Sequence, residues 1–515
     1  MPSNSPAIKH PLSIISFTIG WLLLFALFSP EAHATVKLPA IISDNMALQA
    51  AAKVVIWGQA SAGEKVVVRF NHQEVTSIAD PSGNWKVELR DLKPGGPYEL
   101  IVKGTNTITV KNVVVGEVWL CAGQSNMAMS LLQSKNGTEE SARATQPNIR
   151  LFKIEHQTSS VPMSNVKGKW EVCTPATAAK FSAVAYFFGR ALYNDLSRPI
   201  GLIESAWGGT PAELWISKSA LAKQTNGEAV LGRWFKEVKR YQERIPAWYQ
   251  AKCMKRHLPI TSVVPSNIVS ASMDEYNSLR EPSCLFNGMI APVALFSIAG
   301  VLWYQGESNV DRAAEYRYLL PLLIADWRAH WGTAFPFLFV QLPNYAKVKS
   351  SLPANAWAEV REAQLQTLAV PNTAMVVSID LGDPLDIHPK SKVEIGNRLA
   401  LSALATVYKK NIEYSGPLFS SIFIKNGTAV LSFTHTAGSL KTSSGSEPRA
   451  FTMAGPDHRF LLAKAKIFQD KVFVVSPLVP NPVAVRYGWA NNPECNLVNA
   501  VNLPASPFRT DQWPN

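Results

Sequence analysis

The spacing of apolar residues differs between regions of the chain and divides it into segments with different predicted secondary structure. From residue 36 to about 113, short runs of β-type residues alternate with Gly- and Pro-containing turns, without a helical period. The runs are Lys53–Trp57, Lys65–Phe70, Trp85–Leu89, Glu99–Val102 and Thr107–Val110. This pattern is typical of a small antiparallel β-sandwich, and we predict such a domain over residues 35–113.

From residue 114 to about 410, apolar strand-like runs alternate with helical stretches. The predicted strands are Glu117–Ala122, Ile149–Ile154, Pro199–Ser205, Ala299–Tyr304, Pro336–Gln341 and Ala374–Ile379. The predicted helices are Ala178–Asp195, Asp311–His330, Ala356–Ala369 and Ser391–Lys409. Nearly continuous apolar strands that alternate with helices indicate a parallel sheet covered on both faces. The predicted fold class is therefore α/β, with a doubly wound parallel sheet over residues 114–410.

Residues 217–285 interrupt this alternation. Leu231–Tyr249 has apolar residues at helical spacing, while the rest of the segment is rich in Ser and Pro. We interpret the segment as an insertion that forms either a rim of the functional site or packing alone. From residue 411 to 515 the β-type runs return, which predicts a C-terminal β-rich domain resembling a sandwich.

The first 34 residues have the pattern of a secretory signal peptide. Lys9 precedes an apolar run over Leu12–Phe28, and Ala32 and Ala34 are small residues at the spacing of a cleavage site. We predict cleavage near Ala34 and a secreted or periplasmic protein; the alternative is an uncleaved N-terminal anchor. Later segments are not apolar for long enough to cross a bilayer, so no membrane span is expected after cleavage.

Composition and charge exclude some partners. The chain is 47% hydrophobic and 17% charged, as in globular proteins, and its net charge is +12. Its basic residues are scattered in runs of at most two, so we expect no nucleic-acid partner. The five cysteines lack a C-x-x-C spacing and therefore do not indicate zinc; their odd number leaves at least one unpaired.

Four polar segments each follow directly on a predicted strand of the α/β domain. They are Glu117–Met127, Glu204–Thr210, Val301–Asn309 and Ile379–Pro389. In an open α/β sheet, ligands bind outside the carboxyl ends of the strands. We therefore expect these segments to converge on one functional site, although they are far apart in sequence.

Ser125 and His388 are the candidate catalytic pair within these segments. A serine becomes nucleophilic when a base accepts its proton, and the base in turn needs an orienting acceptor. Of the nine histidines, His388 alone lies in a loop after a central strand with carboxylates within eight residues. Separately, Ser125 could be a helix N-cap and His388 a turn residue, but together they favour catalysis.

The charge that develops on an ester oxygen during attack needs preorganised donors. The candidates are the backbone N–H of Ser125, a backbone N–H of Gly208 or Gly209, and the side-chain amide of Gln305 or Asn309. Glu307 lies between the two amides. We expect its carboxylate to orient the loop through hydrogen bonds rather than to act as an acid.

Taken together, the motifs of this chain resemble those of the sialate O-acetylesterase family, a branch of the SGNH hydrolases. The residues that carry the resemblance are 43–49 (SDNMALQ), 116–127 (GEVWLCAGQSNM), 204–210 (ESAWGGT), 303–309 (WYQGESN), 386–389 (DIHP), 485–490 (VRYGWA) and 503–511 (LPASPFRTD). They extend over nearly the whole chain after residue 34.

The resemblance implies an SGNH, flavodoxin-like catalytic domain with β-rich flanks. It implies hydrolysis of O-acetyl esters on sialic acids or sialoglycans, without a metal or organic cofactor. By the same resemblance, Ser125 is the nucleophile and His388 the base, and Gln305 or Asn309 occupies the position of the side-chain oxyanion donor.

The acid behind His388 is the point at which the chain departs from the SGNH pattern. That pattern has the acid three residues before the histidine, where this chain has Leu385. Asp386 lies two residues before it, Asp383 five and Asp380 eight. We favour Asp386; the alternative is a Ser–His dyad in which a backbone carbonyl orients the imidazole.

The sequence is also compatible with other functions. The nearest is an acetylesterase acting on another polysaccharide, such as xylan or pectin. A non-catalytic carbohydrate-binding protein is an alternative of another class, and a peptidase with the same Ser–His pair is a weaker one. The oligomeric state and the disulfide pairing do not follow from the sequence.

Overall fold

A computed structural model describes residues 35–513, with gaps at 52, 256–263, 265, 267–268, 271–278 and 347–354. The predicted signal peptide, 1–34, and part of the insertion therefore lie outside the described residues. Within the described ranges, no helix is long and apolar enough to cross a membrane.

The N-terminal region consists of strands. They are β1 Ala47–Gln49, β2 Lys53–Gln59, β3 Lys65–Phe70, β4 Gln73–Ile78, β5 Asn84–Arg90, β6 Gly95–Lys103 and β7 Thr107–Gly123. Strands β4, β3, β6 and the first part of β7 pair in antiparallel order, and β2 pairs with β5. In β5 buried and exposed residues alternate strictly, as expected for a strand with one face in the core.

Strand β7 connects this region to the α/β sheet. Near its start, Val110 pairs with Leu100 of β6. Beyond the predicted boundary at residues 113/114 it continues without a break into the parallel sheet, where Val301 pairs with Leu120. From Val113 to Gly123 every residue of the strand is buried. The change from a β-only pattern to an alternating strand-and-helix pattern in the sequence therefore lies inside one continuous strand.

The α/β region is built on a largely parallel sheet. Its further strands are β8 Gln146–Lys153, β9 Trp170–Cys173, β10 Ile200–Ala206, β11 Gly300–Tyr304, β12 Phe337–Val340 and β13 Thr373–Val376. Their order is β13-β12-β11-β7-β10-β8-β9, with all pairs parallel except that of β8 and β9. This confirms the α/β class, and it places β7 where the strand order reverses.

Helices cover both faces of this sheet. They are α1 Ser125–Ala128, α2 Gly137–Arg143, α3 Pro175–Ala178, α4 Ala183–Leu196, α5 Lys218–Ala222, α6 Thr225–Lys255, α7 Ala313–Trp331, α8 Ala356–Gln366 and α9 Lys392–Thr406. Because side chains alternate along a strand, Leu302 of β11 packs with α4 and α9, while Trp303 packs with α7 and α8.

The insertion packs on helix α7. The predicted helix Leu231–Tyr249 lies within the longer α6. From α6, Arg233 forms an ion pair with Glu315 at the start of α7, and its guanidinium lies 3.6 Å from Glu213. This contact attaches the insertion to the loop that follows β10.

The C-terminal region is again made of strands. They are β14 Leu418–Lys425, β15 Thr428–Thr434, β16 Leu440–Thr442, β17 Phe451–Ala454, β18 Leu461–Leu462, β19 Lys464–Phe468, β20 Lys471–Val475, β21 Ala484–Tyr487, β22 Leu497–Asn499 and β23 Phe508–Arg509. They form two four-stranded sheets and one pair. Arg509 joins this region to α8 through an ion pair with Glu362 at 2.6 Å. All five cysteines are free thiols.

Candidate active site

Ser125 lies at the carboxyl end of β7, the strand at which the sheet order reverses. Gly123 ends this strand with a φ of 139°. A Cβ at Gly123 would lie 2.2 Å from the carbonyl oxygen of Tyr304, so a side chain is not tolerated there. The chain therefore turns directly after the strand, and α1 begins at Ser125 with the serine half-buried at the edge of the sheet.

His388 reaches Ser125 from the loop after β13. Nε2 of His388 lies 2.8 Å from Oγ of Ser125, a hydrogen-bond distance. Burial lowers the pKa of His388; of the neighbouring charges, Asp386 raises this pKa and Lys392 lowers it. A lowered pKa favours the neutral imidazole, which is the form that can accept the serine proton.

Asp386 provides the carboxylate beside this imidazole. Its Oδ1 lies 3.6 Å from Nδ1 of His388 and accepts a hydrogen bond from the backbone N–H of His388 at 2.9 Å. Asp383 accepts hydrogen bonds from the backbone of its own turn, and both oxygens of Asp380 pair with Arg398. Of these three carboxylates, Asp386 is the one that contacts His388.

Gly208, in the turn after β10, lies next to Ser125. A Cβ on Gly208 would lie 3.2 Å from the Cβ of Ser125, so the glycine backbone is in close contact with the nucleophile. A Cβ on Gly209 would meet nothing within 4 Å. The backbone N–H of Ser125, at the first position of a helix, has no acceptor within that helix. The structure therefore brings the backbone of Gly208 into close contact with Ser125.

Gln305 and Asn309 are fully buried behind the turn that carries Gly208. Nε2 of Gln305 donates to Oδ1 of Asn309 at 2.7 Å and to the carbonyl of Thr210 at 3.3 Å. Nδ2 of Asn309 donates to Glu213 at 2.9 Å. In this structure both amides make hydrogen bonds inside the protein, so an oxyanion role for either of them stays a prediction.

Glu307 accepts a hydrogen bond from Nδ2 of Asn126, the residue that follows Ser125, and its orienting role stays a prediction. Burial raises the pKa of Glu307. The sequence pattern did not indicate Asn126 itself, nor Lys392, whose Nζ donates to Oδ1 of Asn126 at 2.6 Å. One signal was available: a lysine in the first turn of a helix opposes the helix dipole and is therefore unusual.

Ser125 and His388 face a surface cavity of about 710 Å³. The residues that line it are Ser125, Ala128, Met129, Leu132, Gln133, Ser134, Gly208, Asp386, His388 and Lys390. A second cavity, of about 630 Å³, is bordered by Gly209, by Arg233 and Trp234 of the insertion, and by Arg312. In the described part of the chain, no group of three or more His, Cys, Asp or Glu side chains is arranged to hold a metal ion.

A serine hydrogen-bonded to a histidine at the edge of a parallel sheet is an arrangement found in serine hydrolases. The model of the family "Carbohydrate esterase, sialic acid-specific acetylesterase" matches residues 115–256 and 236–405. The sialate O-acetylesterase of Rattus norvegicus is 32% identical over 95% of this chain and 96% of its own length. That of Homo sapiens is 31% identical over 92% of both chains.

A solved structure agrees with these matches. A carbohydrate acetylesterase from Xanthomonas citri is 36% identical, with a TM-score of 0.79, over 93% of this chain and 100% of that one. The protein is thus a carboxylic ester hydrolase. More particularly, the chain belongs to the sialate O-acetylesterase family, which confirms the resemblance found in its motifs.

Proposed function

We propose that this esterase removes O-acetyl groups from sialic acids through an acetyl-serine intermediate. The observation that carries the proposal is the distance of 2.8 Å between Oγ of Ser125 and Nε2 of His388. It is the contact through which a neutral imidazole can accept the serine proton at the moment of attack.

In the first step, Oγ of Ser125 attacks the acetyl carbonyl carbon while its proton passes to Nε2 of His388. The tetrahedral intermediate collapses, the ester C–O bond breaks, and His388 returns the proton to the departing sugar hydroxyl. In the second step, a water molecule gives a proton to His388 and attacks the acetyl-serine, releasing acetate and the free serine. Asp386, next to the imidazole, stabilises its positive charge in both steps.

The oxyanion is assigned to backbone donors. The proposed donors are the backbone N–H groups of Ser125 and Gly208, whose residues are in close contact, and Gly209 contributes the freedom of a turn residue with φ of 75°. Removal of one preorganised oxyanion donor typically costs about 3 kcal/mol of transition-state stabilisation. We further propose that this arrangement belongs to an SGNH-type domain whose β-rich flanks are sandwich-like.

The substrate class is supported by relatives and by charge. The curated relatives named above are sialate O-acetylesterases, and the exposed Lys390 lines the cavity two residues beyond His388. An ammonium at this position can attract the carboxylate of a sialic acid. A second candidate, an O-acetylated polysaccharide such as xylan or pectin, is favoured by the likeness to the Xanthomonas citri enzyme, which is described only as a carbohydrate acetylesterase.

The test is acetate release from O-acetylated sialic acid, acetyl-xylan and acetylated pectin, assayed in parallel with purified enzyme. We expect kcat/KM to be highest for the sialate, and Ser125→Ala to lower it by about 10⁴-fold or more with every active substrate. A preference for xylan or pectin supports the second candidate. Binding of glycans without acetate release from any substrate would leave a non-catalytic carbohydrate-binding protein.

We also propose that the enzyme acts outside the cytoplasm after removal of residues 1–34. The support is the apolar run of Leu12–Phe28 followed by small residues at 32 and 34. Expression of the full chain with a C-terminal tag, followed by fractionation and N-terminal sequencing, tests this. We expect an exported product that begins near Thr35; a full-length product that remains with the membrane fraction would indicate the uncleaved anchor.

A further inference from the structure

Lys392 is a buried cation beneath the catalytic pair. It occupies the first position of α9, and its side chain is 1% exposed. Both circumstances disfavour a positive charge, since burial removes hydration and the amino end of a helix dipole is itself positive. A lysine that is kept at such a position needs compensating contacts.

These contacts converge on Nζ of Lys392. The ammonium donates a hydrogen bond to Oδ1 of Asn126 at 2.6 Å and lies 5.2 Å from the ring centre of Tyr304. The carboxylates of Glu307 and Asp386 attract it electrostatically. The charged and titratable groups that face Lys392 are therefore Tyr304, Glu307 and Asp386, together with His388, whose pKa it lowers.

The hydrogen bond from Lys392 fixes the orientation of the Asn126 amide. Because an ammonium has only donors, the oxygen of the amide must face it, and the NH₂ group must point to the other side. There Nδ2 donates both to Glu307 and, at 3.0 Å, to the carbonyl of Ile387. Asn126 thus uses its oxygen and both of its N–H groups in one buried network.

The two ends of this network adjoin the catalytic residues. Asn126 directly follows Ser125, and Ile387 directly precedes His388. We infer that Lys392 is a positioning residue, which holds the serine turn and the histidine loop in register by orienting the Asn126 amide between them. This inference rests on the proposed function, because it assigns a role in the proton transfer from Ser125 to His388.

The charge of Lys392 has a second consequence. Burial lowers the pKa of Lys392 to about 7, and the carboxylate of Glu307 opposes this shift. While it is protonated, the ammonium disfavours a second positive charge on His388 nearby. The network therefore serves both the geometry of the imidazole and its availability as a base at neutral and weakly acidic pH.

The experiment compares the wild type with Lys392→Met, which keeps an unbranched side chain but loses the charge and the donor. Hydrolysis of an aryl acetate ester is measured from pH 5 to 9. We expect kcat to fall by about 10- to 100-fold, as for small misplacements of reacting groups. We expect KM to change by less than about threefold, and the acidic limb of kcat/KM to move to higher pH because the charge that lowers the pKa of His388 is gone.

A double variant separates positioning from folding. Lys392→Met alone leaves Glu307 without its cation, whereas Lys392→Met with Glu307→Gln keeps the network neutral. We expect the double variant to regain most of the Tm lost in the single variant while its kcat stays low.

The inference would be overturned if Lys392→Met had the kcat and pH profile of the wild type, or if the double variant recovered kcat. Lys392 would then serve only to balance the buried charge of Glu307. A wild type that is inactive on every acetyl ester would instead refute the proposed function.

Discussion

Asp386 touches the backbone of His388 more closely than its ring. Oδ1 of Asp386 accepts the backbone N–H of His388 at 2.9 Å, while Nδ1 of the ring lies 3.6 Å away. A carboxylate two residues before the histidine, rather than three, is drawn into this local turn. The short sequence offset is thus visible as a specific geometry in which the aspartate fixes the loop and faces the imidazole.

Replacement of the two loop aspartates identifies the acid. Asp386→Asn should lower kcat by about 10²- to 10⁴-fold, since an amide cannot stabilise the imidazolium and can select the wrong tautomer. Asp383→Asn, in the same loop, serves as the matched control and should change kcat by less than about fivefold. The measurement is steady-state hydrolysis of an acetyl ester. A larger loss in Asp383→Asn would reassign the acid.

The pH profile of kcat/KM reports the pKa of His388 in the free enzyme. Since burial lowers the pKa of His388, the neutral base persists to lower pH than it would with an ordinary imidazole, and activity should be retained below pH 6.5. Removing the negative charge in Asp386→Asn should move the acidic limb further down, because Asp386 raises this pKa. An acidic limb above pH 7 in the wild type would contradict this expectation.

Gly208 provides a steric test of the proposed oxyanion site. In Gly208→Ala the new Cβ would lie 3.2 Å from the Cβ of Ser125, so either the serine or the turn must shift. We expect kcat to fall by about 10- to 100-fold with little change in Tm. Gly232→Ala is the control, since a Cβ there meets nothing within 4 Å. Equal activity of both variants would show that the turn does not approach the reacting carbonyl.

Gln305 should behave as a structural residue. Gln305→Leu removes the donors to Asn309 and Thr210 inside the fold, and it should lower the free energy of unfolding by about 1–3 kcal/mol. Urea denaturation measures this loss, and kinetics on the folded variant measures any effect on kcat. If Gln305 were an oxyanion donor, the result would be reversed: a loss of kcat of about 10²-fold or more at unchanged stability.

The main lines of the fold follow from hydrophobic patterning alone. The predicted strand Ala299–Tyr304 is observed as Gly300–Tyr304, and the predicted helix Ser391–Lys409 as Lys392–Thr406. Both have an apolar period that leaves little choice of structure. The pairing of Ser125 with His388 was also accessible, because the carboxyl ends of parallel strands must meet at one edge of the sheet.

Two features of the site could not be predicted from hydrophobic patterning or from the positions of the strand ends. An amide such as that of Gln305 looks the same in sequence whether it faces a substrate or the interior, and its partners here are set by the tertiary fold. The bond between Lys392 and Asn126 joins residues 266 positions apart. A lysine at the start of a helix is unusual, but its burial and its partner become evident only when the helix is docked against the serine turn.

The burial of Lys392 also predicts how stability depends on pH. The pKa of its ammonium is about 7 in the folded protein and 10.5 in the reference state. Between these values the unfolded chain binds a proton that the folded chain does not, so Lys392 makes the free energy of unfolding rise with pH from 7 to about 10.5. Below pH 7 both states are protonated, and this contribution no longer changes.

In Lys392→Met this contribution to the rise of the unfolding free energy with pH should therefore be absent. Urea unfolding at pH 7, 8, 9 and 10 is compared for the two proteins, with the denaturant m-value as the check that both unfold the same amount of surface. The stability of the wild type relative to Lys392→Met should increase steadily across the series. A difference that is independent of pH would mean that the ammonium of Lys392 keeps an ordinary pKa in the folded protein. In that case the contacts with Asn126 and Glu307 would keep Lys392 protonated throughout this pH range.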